Sequence, residues 1–477
     1  MSGRAALLAG ALACAPGSLV AQEIEPGSRD PLLADEVLAS VESTYPPLLA
    51  SLIERDVREG RLRGAGSIFD LDLFAKVKGT PSGYYEYTTV EAGVEQFLGV
   101  WGSSVYGGYR LTTGETLPDY YEQRTQGDGE ATLGLRIPLL RGGATDAGRT
   151  ALAQADVAAR MADPWIARQR LDFGRAASVA YYKWLAAGRK LEIARELLGL
   201  ANARTAGLEE QVADGLRAPI VLVDNQRLVV SRELDVLSAE REFQGAALAL
   251  SLFLRTPEGE AVVPGEERLP DGFPSLDPAL EPGLEEGVPL ALERRPEILM
   301  LGFELEMVEL ERRLARNTLL PYLDGRIEAV GNFGEERYTD RTQTEIRGEL
   351  GFKLPLQRNE AQGKVQAAEA KEEQARQKLS FARDKIEAEV RDAWIALQAA
   401  VARTERAELN VELAERMRAV EAEQFRVGAS DLLALQLREQ AAFEAEKSAV
   451  DAWLDAFTAL ADYRASVARG VPAPPES

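Results

Sequence analysis

The sequence predicts a mainly α-helical fold with a transmembrane β-barrel, in which long antiparallel coiled-coil helices form a tunnel and each copy contributes four strands. Three observations lead there. Two stretches, residues 141–213 and 361–427, are almost free of proline, Pro164 being the exception, and as helices they would each run on the order of 100 Å. The segments that precede them change from helical to period-two patterning. The whole order of elements then occurs twice.

The chain opens on a segment expected to be removed. Arg4, an apolar run from Ala5 to Ala15, a Pro16-Gly17 break and Leu19-Val20-Ala21 read as a secretory signal, residues 1–21, cleaved after Ala21. Lipid attachment at Cys14 is the competing reading, and Ala11 three residues ahead of it makes a poor lipobox.

The first structural repeat is expected over residues 22–255: short helices, strands at about 68–140, the long helix 141–213 and a helix at 219–255. Leu71, Leu73, Ala75 and Val77 alternate with Asp70, Asp72, Lys76 and Lys78, and Ala131, Leu133, Leu135 and Ile137 with Glu130, Thr132 and Arg136. Between these two strands, residues 82–127 bring Tyr84, Tyr85, Tyr87, Trp101, Tyr106, Tyr109, Tyr120 and Tyr121 among Gly and Thr. That composition fits an interfacial aromatic girdle, an extra extracellular hairpin or a β-rich loop packed on itself.

A connection rich in Pro, Gly and acids spans residues 256–295. The second repeat, residues 296–468, is expected to hold a short helix, strands at about 322–357, the long helix 361–427 and a helix at 431–467, before a disordered tail at 469–477. Leu323, Ile327, Ala329 and Phe333 alternate with Asp324, Arg326, Glu328 and Asn332. Ile346, Leu350, Phe352 and Leu354 do so with Glu345, Arg347, Glu349 and Lys353. Along the long helix, Leu379, Ile386, Val390, Ala393, Leu397 and Val401, then Leu409, Leu413, Met417 and Val420, recur at the steps of a coiled-coil seam. The last helix carries one face of alanines (Ala441, Ala445, Ala449, Ala452, Ala456, Ala459) and one of bulky residues (Phe443, Val450, Leu454, Phe457, Leu460), so it packs on two neighbours.

The repeats can be aligned by eye. Leu135 to Arg141 matches Phe352 to Arg358, Tyr45-Pro46-Pro47-Leu48-Leu49 matches Arg295-Pro296-Glu297-Ile298-Leu299, and Val212-Ala213-Asp214-Gly215-Leu216 matches Phe425-Arg426-Val427-Gly428-Ala429. Four strands leave edge amides unpaired in hydrocarbon, so other copies must close the barrel. Two copies would give eight strands and a filled interior, whereas three give twelve and a wet lumen.

Composition excludes much else. Among 477 residues, 77 acidic side chains against 55 basic give a net charge of −22, which repels nucleic-acid phosphates. There is no histidine and only one cysteine, so histidine triads, imidazole metal sites and disulfide frameworks are out. No phosphate-binding loop is present, Gly142-Gly143 lacking the lysine. Neither enzymatic activity nor a cofactor is expected.

On the duplicated order of short helix, strands, Pro-Leu and long helix, and on the paired glycines, the chain resembles the TolC-like outer-membrane efflux-channel family. The resemblance implies a homotrimer with a twelve-stranded barrel in the Gram-negative outer membrane and a periplasmic helical tunnel. It further implies an exit duct, in a tripartite efflux or type I secretion system, that passively conducts substrates handed on by a periplasmic adaptor and an inner-membrane transporter of the RND, ABC or MFS type. Its lipid partner would be the outer membrane, and it would bind no nucleic acid. Carried onto this sequence, the adaptor-docking tips are Gly215-Leu216-Arg217-Ala218 and Val427-Gly428-Ala429-Ser430. In the family, acidic residues one or two turns past the tip glycine ring the closed entrance. Nine residues past the glycines stand Asp224 and Leu437, so Asp224 is the entrance candidate, with Glu421, Glu423 and Gln436 beside it. Charge of roughly −66 on a trimer would favour cations and zwitterions over polyanions. The rival reading, an exported trimeric coiled-coil scaffold or adhesin, accounts for the helices but not for amphipathic strands between them.

Overall fold

The computed structural model describes residues 30–114, 117, 124–339 and 344–469. The expected signal segment, Cys14, Tyr120, Tyr121 and all but the first residue of the expected tail lie outside the described residues.

One series of elements runs twice. In the first pass α1 (Ala34–Thr44) and α2 (Pro46–Ala65) lead into strands β1 (Leu71–Thr80), β2 (Tyr87–Phe97), β3 (Ser104–Thr113) and β4 (Gly129–Pro138). Helices α3 (Ala147–Arg160), α4 (Ala162–Ala213) and α5 (Pro219–Leu250) follow. In the second pass α6 (Leu284–Arg294) and α7 (Pro296–Asn317) lead into β5 (Tyr322–Phe333) and β6 (Thr344–Lys353), then α8 (Asn359–Arg426) and α9 (Leu432–Ser466). Each opening helix pair is divided by a residue before proline, Tyr45 at ψ 114° and Arg295 at ψ 121°, because the proline ring crowds a helical conformation there. Over its 68 residues α8 is about 100 Å long.

Three features differ from the sequence expectation. The long helix expected over 141–213 begins at Ala147 and is interrupted at Met161, since Pro164 has no N–H for the Arg160 carbonyl one turn earlier. The 256–295 connection holds no α-helix up to Gly283; α6 fills residues 284–294 with Pro289 inside it, in the second turn, where the bond to the Glu285 carbonyl is lost. Most importantly, the sheet has six strands rather than four. All are antiparallel, in the order β1-β2-β3-β4-β5-β6. The extra pair, β2 and β3, comes from the aromatic-rich region, which is therefore paired into the sheet and is not a self-packed loop.

The chain forms two compact units. One takes in residues 30–49, Phe173–Leu276 and Ala399–Ala461. Its core holds Trp184, Leu185, Leu191, Leu208 and Leu250, all essentially without solvent contact, and each buried leucine contributes roughly 1.5–3 kcal/mol. Tyr182 of α4 stacks on Phe457 of α9 with ring centroids 4.2 Å apart, and Phe273 and Trp453 extend the stack. Both faces of α9 are used: Ala445, Ala452 and Ala456 are as buried as Phe443 and Phe457. Lys190 pairs with Asp451 at 2.7 Å, and Arg204 with Glu439, the latter pair nearly sealed from water.

The other unit takes in the described residues of 50–172 and 277–398, with 462–469. Arg160 of α3 bridges Glu306 of α7 at 2.6 Å. Glu372 of α8 is buried between Arg312, at 2.8 Å, and Arg376. The seam residues Ile386, Val390 and Leu397 are buried in this unit, whereas Leu409, Leu413, Met417 and Val420, farther along α8 in the first unit, stay exposed.

The sheet's two faces separate completely. Cross-strand registers place Leu73, Val94, Gly107, Leu133, Ala329 and Ile346 in one row across all six strands. That face carries no charged side chain, and Leu73 and Ile346 are 80% and 81% exposed on it. The opposite face carries Asp72, Glu91, Glu95, Glu130, Asp324, Glu328, Glu345 and Glu349 against Lys76, Lys78, Arg110, Arg136, Arg326, Arg347 and Lys353, close to charge balance. Here Tyr106 donates to Glu328 at 2.9 Å, Arg110 pairs with buried Glu130, and Arg347 pairs with Glu345 at 2.8 Å. Among the described residues no helix is long and apolar enough to cross a membrane.

Candidate functional site

The two glycine tips lie in the first unit, and each closes a helix by the same motif. At the end of α4, Gly215 at φ +72° donates its N–H to the Val212 carbonyl at 3.1 Å, and Leu216 to that of Gln211 at 2.9 Å. At the end of α8, Gly428 at φ +79° donates to Phe425 at 3.1 Å, and Ala429 to Gln424 at 2.8 Å. This double bond pattern, with a left-handed residue after the helix, is the Schellman closure, and glycine adopts that conformation at no steric cost.

The restart differs between the tips. Ala218 offers no side-chain cap, and α5 begins instead on Pro219, whose missing N–H is one the first turn does not need. In the second tip the Asp431 carboxylate accepts from the Ala434 N–H at 2.8 Å, and Ser430 donates to Glu421.

A contact that sequence spacing does not reveal joins the tips. The Arg217 guanidinium stands 4.7 Å from the centroid of the Phe425 ring and also donates to Gln211 Oε1 at 3.1 Å. Its only signal in the sequence is an aromatic residue three before the second glycine. Beside this contact Leu216 is 74% and Val427 60% exposed, next to the exposed Glu423–Arg426 ion pair.

The four entrance candidates occupy different settings. Asp224 is exposed on α5, and its neighbour Asn225 is buried, donating to the Ala201 carbonyl at 3.1 Å and to Thr205 Oγ1 at 2.9 Å, which ties α5 to α4. Glu421 is half-buried and engaged by Ser430. Glu423 is exposed and paired with Arg426 at 2.5 Å; that hydrogen bond holds its carboxyl below the ordinary range. Gln436 is half-buried, and among the described residues its Nε2 finds no partner. Among the described residues no hydrogen bond or ion pair connects Asp224 to the other three, so one chain does not gather them into a ring.

Farther from the tips, α4, α8 and α9 meet around Glu196, Glu415 and Glu446. Burial raises the Glu446 carboxyl, and Glu415 and Glu196 add to the rise against the opposing charge of Arg418. Arg418 donates to Glu415 at 2.7 Å.

The chain thus combines a sheet that has one uncharged face with two long helices, α4 of about 80 Å and α8 of about 100 Å, each ending in a glycine turn. Solved structures agree on the fold. The outer membrane protein VceC from Vibrio cholerae is 17% identical, with TM-score 0.64 over 91% of this chain and 96% of its own. The open-state MtrE channel of Neisseria gonorrhoeae is 15% identical, with TM-score 0.65 over 92% and 89%. The CmeC channel of Campylobacter jejuni is 13% identical, with TM-score 0.64 over 93% and 87%. Residues 287–468 match the family of outer membrane efflux proteins. The family match is thus confined to the second half of the chain, and the chain as a whole shares the fold of these outer-membrane channel structures. No curated protein matches the chain by sequence.

Proposed function

We propose that this protein is the outer-membrane exit duct of a tripartite efflux or type I secretion system, passively conducting substrates that a periplasmic adaptor and an inner-membrane transporter deliver. The observation that carries the reading is the junction, in one chain, of a membrane-type sheet with helices several times longer than its strands. A strand of ten residues is about 34 Å long, and at a barrel tilt of about 40° it spans about 26 Å, close to the apolar band of outer-membrane barrels. The helices extend far beyond any bilayer.

Assembly as a homotrimer is supported by surfaces that one copy leaves bare. On α5, Ile220, Val223, Val230, Leu234 and Leu237 recur at steps of three, four and seven, and all are more than half exposed. On α8, Leu409, Leu413, Met417 and Val420 recur at steps of four and three and are 44–54% exposed. Helical seams of this spacing are covered by other helices, and neighbouring copies supply them. The tips Gly215-Leu216-Arg217-Ala218 and Val427-Gly428-Ala429-Ser430 are the adaptor-docking surface: rigidly closed, mutually braced and apolar at Leu216 and Val427. Asp224, repeated by symmetry, is the strongest entrance residue, with Glu421, Glu423 and Gln436 nearby. The near charge balance of the sheet's polar face means that selectivity for cations would have to arise in the helical part.

The reading is tested by deleting the gene in its host and complementing it with the wild type or with tip variants. Restored export by the wild type alone supports it. Unchanged export in the deletion strain contradicts it.

A further inference from the structure

We infer that the membrane barrel of the assembled channel has eighteen strands, six from each of three copies, with β2 and β3 inside its wall. The inference rests on the duct reading above and departs from the twelve strands expected from the sequence.

Four observations carry it. The sheet is unbroken: β2 pairs with β1 and with β3 along nearly its full length, and β3 with β4. The separation of faces also continues through the added strands, with Val90, Ala92, Val94, Val105, Tyr109 and Leu111 on the apolar side and Glu91, Glu95 and Arg110 on the other. A hairpin standing in water outside the membrane has no need for that partition, whereas a strand between lipid and lumen requires it. Third, within one copy β1 and β6 each leave an edge unpaired, and both are ten residues long. Because six is even, β1 and β6 run in opposite directions. Hence β6 of one copy meets β1 of the next in the same antiparallel sense all the way round, and no edge amide faces hydrocarbon. Finally, one copy cannot close alone, since even eight strands leave an interior that side chains fill.

The consequence is a wider outer section. With strands about 4.8 Å apart and tilted about 40°, eighteen make a ring about 36 Å across between backbones, against about 24 Å for twelve. Cargo size would then be limited in the helical section and not at the membrane.

Cys14 is the only cysteine in the sequence and falls in the segment expected to be removed, so single-cysteine variants give clean labelling. Val90→Cys, Val94→Cys and Val105→Cys, each purified as full chain and reconstituted in lipid vesicles, are reacted with a lipid-soluble and a membrane-impermeant maleimide. Labelling by the impermeant reagent at least tenfold slower than by the lipid-soluble one is expected at all three. Equal labelling by both would overturn the inference. Electron cryomicroscopy of the protein in lipid nanodiscs then counts the wall directly, with eighteen strands expected. Twelve strands with β2 and β3 projecting outside, or a two-copy barrel, would overturn the inference while leaving a conducting duct intact. A chain that does not enter the bilayer would overturn the duct reading as well.

Discussion

Replacing the tip glycines separates docking from assembly. Gly215 and Gly428 sit at φ +72° and +79°, and a Cβ on either would meet no atom within 4 Å. The whole penalty of an alanine is therefore in the backbone, roughly 1–2 kcal/mol per left-handed residue, enough to open a tip about five to thirty times more often. Proline at 215 acts more severely. Its φ is fixed near −65°, and it removes the N–H that bonds the Val212 carbonyl at 3.1 Å, so the closure cannot form. Gly428→Trp adds an indole beside exposed Val427, in the middle of the proposed docking surface. Neither change touches the exposed seams of α5 and α8 at Val230, Leu234 or Leu409. Both Gly215→Pro and Gly428→Trp should keep the heat-resistant trimer on gels and lose export in the complemented host, while Gly215→Ala and Gly428→Ala lose only part of it. Wild-type export by Gly428→Trp, with the trimer intact, would refute the placement of the docking surface.

Other changes probe the supports. Glu439→Ala leaves Arg204 charged and nearly buried; it should cost about 3–5 kcal/mol and lower the thermal midpoint, whereas Arg204→Met with Glu439→Leu should stay near wild type in the same melt. Arg217→Ala removes the brace on Phe425, worth about 0.5–1 kcal/mol, and should speed hydrogen exchange of the amides at 211–218 without changing the melting midpoint. Glu446 has a folded-state pKa above its unfolded value, so its ionised form is disfavoured in the fold. That cost is absent below the ordinary carboxylate pKa and sets in as pH rises through the folded one. Glu446→Gln should therefore raise the midpoint at pH 8 and leave it unchanged near pH 3.5.

Much of this was legible because the physics is local. Seam spacing marks α8, alternation marks β1, β4, β5 and β6, and a glycine between two helical patterns marks each tip. The added strands escaped because Gly93, Gly107 and Gly108 dilute the alternation of β2 and β3, and their tyrosines lie on both faces: Tyr106 meets Glu328 on the polar side, and Tyr109 lies on the apolar side. In α6, Pro289 makes a helix read as loop, yet the helix continues past it from its second turn at the loss of the bond to the Glu285 carbonyl. The seam along α8 looked uniform, yet its first part is core and its second part is bare, a difference set by which helices lie opposite and not by α8 itself. The brace between Arg217 and Phe425 links distant parts of the chain, and no spacing rule reaches that far.

Single-channel recording tests the central claim most directly. The purified full chain, migrating as a heat-resistant trimer in detergent, is added to one side of a planar lipid bilayer. Discrete conductance steps from that trimer are predicted, with a shift on Asp224→Asn if this carboxylate rings the entrance. A soluble monomer that never raises the membrane current would contradict the reading of this chain as an outer-membrane duct.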